Sequence, residues 1–395
     1  MVDFRENLML GSAVAPNFFV MHLLGIWPTK TSTRLYKTYA VIITSFVFFL
    51  YIISELVNIV ISFGDLELIT QASFLFLTHM AQLVKLYFFG RYRNRIQSLT
   101  DSLERRVFQP RNGRQLVMVK RSMRRATVTY YVLISMSIAT CSLWAVFPMI
   151  EVGENGMELP LSAYYPFSTD LTIVFNVIFA YQILSTAINA ATNVSMDTTT
   201  SGFMSLVCGQ LDILNDSLIH VKDFAEEQIS SDRSISLDAA MEENLVHCVD
   251  HHRNILQMTE EIGTLFGITT LSQFAAGAII ICITMFELTL VSLFSIKFVS
   301  MVLYQGCILV EILVYCWFGN EIILRSSKIA NSAYHSDWTD SPTSYKRKLL
   351  LIMTRSRVPI KLYAGNFFTL SLETFMTILR TSWSYFAVLN RVHQD

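Results

Sequence analysis

Seven apolar stretches, each long enough to cross about 30 Å of hydrocarbon, divide this chain. They fall near 39–63, 66–90, 127–150, 168–194, 268–293, 298–324 and 364–390. Composition agrees: of 395 residues 52% are hydrophobic and only 15% charged, with a mean hydropathy of +0.44, whereas soluble domains carry about 25% charge. A net charge of −1 argues against an electrostatic nucleic-acid partner. The six cysteines are scattered, without metal-type pairing, and a disulfide framework is not expected. The first residues, with Asp3, Arg5 and Glu6, lack the basic region and cleavage site of a signal peptide.

The connecting segments differ in basic residues. The first tail holds Arg5, Lys30, Arg34 and Lys37; Arg91 through Arg125 contributes eleven; and Arg325 through Lys361 is again rich. Segments 64–65 and 151–167 hold none, and the turn after the fifth stretch has only Lys297. The positive-inside rule then predicts an intracellular N-terminus and an extracellular C-terminus. A G-protein-coupled receptor runs the other way, and neither Asp-Arg-Tyr after the third stretch nor Asn-Pro-x-x-Tyr in the seventh is present. That class stays as the alternative, with a transporter third.

Helical periodicity continues beyond the spans. Phe203, Val207, Leu211, Leu214, Leu218 and Val221 form one stripe, and Leu245, Val249, His252, Leu256, Thr259, Ile262 and Phe266 a second. Glu227–Ala240 reads as a flexible loop between them, and Ser344–Arg357 as a basic amphipathic helix stopped by Pro359. The fold class expected is an all-α membrane protein with seven transmembrane helices and intracellular extensions forming a small anchor bundle. Its parts are 1–38 (intracellular), 39–194 (spans one to four), 195–267 (intracellular helices and loop), 268–324 (spans five and six), 325–361 (intracellular linker) and 362–395 (span seven and tail).

The seventh stretch is too polar to face lipid. Asn366, Thr369, Glu373, Thr377, Arg380, Ser384, Val388 and Arg391 recur every three or four residues, giving one polar face. Ionisable groups at bilayer depth face protein or a water-filled path. Either a bundle-interior helix or a pore-lining one satisfies that pattern.

Several motifs carry a family resemblance. Leu24–Pro28 (LGIWP), Leu159–Phe167 (LPLSAYYPF), Tyr315–Ile323 (YCWFGNEII), the Ala-Tyr and Trp of ANSAYHSDW, and above all the segment from Arg355 to Val392 resemble insect odorant receptors. The resemblance implies a heterotetrameric ligand-gated cation channel in the plasma membrane of olfactory sensory neurons. It also implies an obligate co-receptor of the same fold as partner, a small volatile odorant as ligand, contact with membrane lipid, and no cofactor or enzymatic activity. The short second intracellular loop, Arg91–Arg125, resembles the odour-tuning subunits rather than the co-receptor. Matching Tyr385-Phe386-Ala387-Val388 to the co-receptor's last helix implies a hydrophobic gate at Val388, with Ser384, Arg391 and Val392 on the same path. Arg391 stands where the co-receptor has Gln, and either tunes conductance or snorkels to headgroups.

The family holds its ligand in the outer half of spans two to six. Counting 1.5 Å per residue places Phe74, Ser137, Thr140, Trp144, Phe175, Ile178, Met301 and Tyr304 at similar depth, the candidate wall of an apolar, aromatic cavity. His79 lies deeper, as a bundle-interior donor or a partner for a polar ligand. The His247, Cys248, His251 and His252 cluster lacks metal-ligand spacing. The sequons at Asn193 and Asn215 fall on the expected inner side, where no glycan is added.

Overall fold

The computed structural model describes residues 9–28, 32–150, 159–167, 171–231, 233–293 and 295–394. Arg5, Lys30 and the first half of the 151–167 loop lie outside the described residues.

A 3-10 turn at Leu10–Val14 leads into α1 (Ala15–Leu23). Thr33 then caps α2 (Arg34–Ile43) by accepting from Tyr36 N at 3.3 Å. A π-helical segment, Thr44–Leu50, joins α2 to α3 (Tyr51–Ile61), so Arg34–Ile61 forms one long apolar run. Asp65 starts α4 (Leu66–Arg91), its carboxylate accepting from Glu67 N at 3.0 Å and Leu68 N at 3.2 Å. Next come α5 (Arg93–Ser102) and α6 (Gly113–Ile150).

Two helices are far longer than a membrane is thick. α7 (Thr172–Ile219) has 48 residues, and after α8 (Val221–Ser231) the Ser236-capped α9 (Leu237–Leu290) has 54, about 80 Å at the standard rise. α10 (Ile296–Ser327), α11 (Ile329–Tyr334) and α12 (Thr343–Arg355) follow. A small hairpin, β1 (Tyr363–Ala364) and β2 (Phe368–Thr369), precedes α13 (Leu372–Gln394). Among the described residues six helices are long and apolar enough to cross a membrane: Arg34–Ile61, Leu66–Arg91, Gly113–Val146, Thr172–Ile219, Leu237–Leu290 and Ile296–Tyr334.

Three expectations need correction. The stretch 364–390 is not one helix. Phe367 N bonds Ala364 O at 3.0 Å, closing a turn whose central residues Gly365 and Asn366 have φ of 55° and 65°. Two adjacent left-handed residues make a type I′ hairpin turn, which breaks a helix whatever the hydropathy. Gly365 N also bonds Gly267 O at 2.8 Å, pinning the hairpin to α9. Asn366 and Thr369 therefore drop out of the helical stripe. The second correction is to Glu227–Ala240, which is mostly helical: α8 runs to Ser231 and α9 begins at Leu237.

The third concerns the stripe beginning at Phe203. Every residue from Thr192 to Leu211 is buried, so this half of α7 has no solvent face. Small polar side chains permit it by bonding back to the helix: Ser195 to Ala191 O and Thr199 to Ser195 O, each at 2.7 Å. Gly202 and Gly209 let neighbours close in. A Cβ there would stand 2.7 Å from Val14 Cγ1 and 2.6 Å from Ser122 Oγ respectively. Beside α7, the helices α8, α11, α12 and the first third of α9 gather, and Leu214, Leu218, Leu245, Tyr345 and Leu349 belong to one buried apolar cluster.

Candidate functional site

A cavity lies between α4, α6, α7 and α10, in the half of the bundle remote from α8, α11 and α12. The space inside it that a water-sized body can reach is about 60 Å³. One end is aromatic. The Phe74, Trp144 and Tyr304 rings pack together, with centroid separations of 6.4, 5.3 and 5.6 Å. The Tyr304 hydroxyl meets Thr78 Oγ1 at 2.5 Å.

The other end is polar. His79 Nδ1 lies 2.8 Å from Glu55 Oε2, and Gln82 Nε2 donates to Asn189 O at 3.0 Å. Lys85, 1% exposed, reaches Asp197 at 2.6 Å and Asn193 Oδ1 at 2.7 Å. Asn193 and Gln273 then donate to the two oxygens of Glu311 at 3.1 and 2.8 Å, and Tyr315 donates to Asp197 at 2.9 Å. The network ties α4, α7, α9 and α10 together. Charges removed from water this completely persist only when paired and hydrogen-bonded, as here.

Four of the expected wall residues meet at this cavity: Ser137, Thr140, Trp144 and Tyr304 line it, and Phe74 closes its aromatic end through ring contacts. Phe175, Ile178 and Met301 do not line it. Phe175 stacks on Phe179 at 6.2 Å, and Ile178 and Met301 are buried. Depth along a helix follows from residue count, but rotation about its axis is set by neighbours, and there the reading by rise fails. It also missed the charged network. The available signal was Glu55, Lys85 and Glu311, single ionisable residues inside apolar runs.

α13 runs alongside α9 in the same direction. Ser382 Oγ bonds Ala278 O at 2.9 Å, and the His393 ring lies 5.2 Å from that of Phe286. Phe375, Ile378 and Leu379 turn toward the core. Glu373, Thr377, Arg380, Ser384, Val388 and Arg391 all lie on the exposed side, and Val392 beside them is also exposed. The helical part of the polar stripe is thus the face left uncovered by its own chain.

Gly319 of α10 packs against the segment leading into α13; a Cβ on it would stand 2.3 Å from Leu370 O. α10 therefore touches the cavity with Tyr304, Cys307, Ile308 and Glu311 and, about 12 Å further along, the start of α13.

The family model described as "7tm Odorant receptor" matches residues 65–383. The chain belongs to the insect odorant receptor family. Among curated relatives, Odorant receptor Or1 of Anopheles gambiae is 26% identical, over 94% of this chain and 93% of its own length. Odorant receptor 13a of Drosophila melanogaster is 22% identical, over 95% and 94%. The solved structure of the insect olfactory receptor OR5 from Machilis hrabei in complex with eugenol has a TM-score of 0.84 and 17% identity, over 98% of this chain and 100% of that one. A second solved structure of the same Machilis hrabei receptor gives 0.83. This odorant receptor is accordingly a multi-pass membrane protein of that all-helical fold, and not an enzyme.

Proposed function

We propose that this odorant receptor is the odour-tuning subunit of a heteromeric ligand-gated cation channel, assembled with a co-receptor of the same fold in the plasma membrane of olfactory neurons. α13 is its seventh span, so the chain starts inside and ends outside, as the distribution of Lys and Arg supports. The lower parts of α7 and α9, with α8, α11 and α12, form the intracellular anchor through which subunits hold one another. A small volatile ligand enters the cavity between α4, α6, α7 and α10, where Phe74, Ser137, Thr140, Trp144 and Tyr304 contact it. A eugenol-bound relative of the same fold makes a compact aromatic molecule a reasonable guest.

The observation that carries this reading is the uncovered polar face of α13, joined through Gly319 and α10 to the cavity between α4, α6, α7 and α10. In the assembly that face surrounds a pore. Val388 is the apolar rung that dewets it when closed, with Ser384 on the inner side and Arg391 and Val392 on the outer. Arg391 places a cation where permeating cations pass, so Arg391→Gln raises single-channel conductance.

Voltage clamp of cells expressing the chain with and without a co-receptor tests the proposal. It expects odorant-evoked currents that need both chains, rise within milliseconds and persist under G-protein blockade. Currents abolished by that blockade, or a C-terminal tag unstained on intact cells, favour the G-protein-coupled alternative.

A further inference from the structure

Two buried amides in the cavity wall have fixed orientations. Gln82 and Asn189 are 1% and 2% exposed. The Gln82 amide nitrogen donates to Asn189 O at 3.0 Å, while that of Asn189 donates to Ser185 O at 2.9 Å and Val47 O at 3.3 Å. Turning either amide over would set its oxygen against backbone carbonyl oxygens, so nitrogen and oxygen cannot be exchanged. The remaining atoms, Gln82 Oε1 and Asn189 Oδ1, accept only, and neither has a protein donor.

Several of the groups around them are engaged. Thr78 and Tyr304 bond each other, and Thr140 donates to Met136 O at 3.0 Å. His79 faces Glu55, and both oxygens of Glu311 are taken by Asn193 and Gln273. The polar end of the cavity thus offers hydrogen-bond acceptors, while the Phe74, Trp144 and Tyr304 end offers apolar surface.

We propose that the ligand is an uncharged molecule with an apolar body and a hydroxyl group, an alcohol or phenol, whose single O–H donates to one of the two acceptors, Gln82 Oε1 or Asn189 Oδ1. The inference rests on the receptor reading above and names the ligand class of the same cavity. An ether, ester or hydrocarbon of equal shape would leave unpaired the acceptor that the alcohol satisfies. That penalty corresponds to about tenfold or more in affinity per group, and discrimination against an analogue lacking the bonded hydroxyl is the kind such a site achieves.

The test uses the full chain co-expressed with a co-receptor. Aliphatic and aromatic skeletons are screened for current, and each active one is compared as alcohol, methyl ether, aldehyde and parent hydrocarbon. The expected result is a half-maximal concentration about tenfold lower for the alcohol than for its ether and aldehyde. In Gln82→Met that ratio should fall several-fold, the response to the alcohol weakening more than the response to the ether. Ethers or hydrocarbons as potent as alcohols on the unaltered receptor overturn the inference and leave the receptor reading intact; this arm decides even if the variant fails to fold. Silence to every skeleton, with receptor and co-receptor both at the surface, overturns the receptor reading and this one with it.

Discussion

Gly319→Ala probes the proposed link between cavity and pore at one atom. A Cβ built on Gly319 lies 2.3 Å from Leu370 O, 2.4 Å from Leu370 Cβ and 2.9 Å from Leu370 C. Carbon contacts are most favourable at about 3.5–4.0 Å, so α10 and the strand leading to α13 must part by roughly 1 Å. Two of the obstructing atoms are backbone, so no rotamer change relieves the clash. Overpacking of this kind costs about 1–3 kcal/mol, and even the lower figure is a fivefold change in an equilibrium. On the proposed route from cavity to pore, a movement of α10 on ligand binding would then reach α13 less effectively. The expected outcome is a rise of fivefold or more in the odorant concentration for half-maximal current, with currents normalised to surface-tagged receptor. Gly90→Ala is the control, since its Cβ would meet nothing within 4 Å. Unchanged potency and maximal current in Gly319→Ala would refute the argument that this contact carries the signal.

Two further predictions concern the buried polar groups. Lys85→Met strips the cation from Asp197 and should cost about 3–5 kcal/mol, removing folded receptor from the surface, while adding Asp197→Asn should restore much of it; a single variant with wild-type thermal stability contradicts the pairing. His251, bonded to Gln210 Oε1 at 2.9 Å, is held neutral: burial, with His247 and His252 adding to it, pushes its pKa down to about 3. The unfolded chain takes up that proton near 6.5 and the folded chain does not, so stability is complete above 6.5 and falls as pH drops toward 3. At pH 5.5 the loss is about 1.4 kcal/mol, seen as a lower melting temperature for purified receptor that His251→Gln makes less pH-dependent.

What could be read from the sequence was whatever depends on distance along one helix. The six apolar helices, the stripe from Glu373 to Arg391 and the shared depth of Ser137, Thr140, Trp144 and Tyr304 are of this kind. What could not be read depends on neighbours. Glu55 finds His79 and Lys85 finds Asp197 only after helices distant in sequence pack. The rotation of α7 and α10 that leaves Phe175, Ile178 and Met301 off the cavity is likewise a tertiary choice. So is the burial of Thr192–Leu211, whose glycine and hydroxyl residues are covered only when α1 and α6 close on them. The Gly365-Asn366 turn was visible as letters but lost in a hydropathy window that averages over it.

Substituted-cysteine accessibility along α13 tests the central claim most directly, using a thiol reagent applied outside to receptor co-expressed with a co-receptor. The native thiols nearest the anchor should stay silent, because burial pushes Cys208 and Cys248 up to about 12. Arg391→Cys should react with or without odorant, and Ser384→Cys, beyond the Val388 ring, only when odorant is present. Neither position reacting in either condition would contradict a pore lined by this helix.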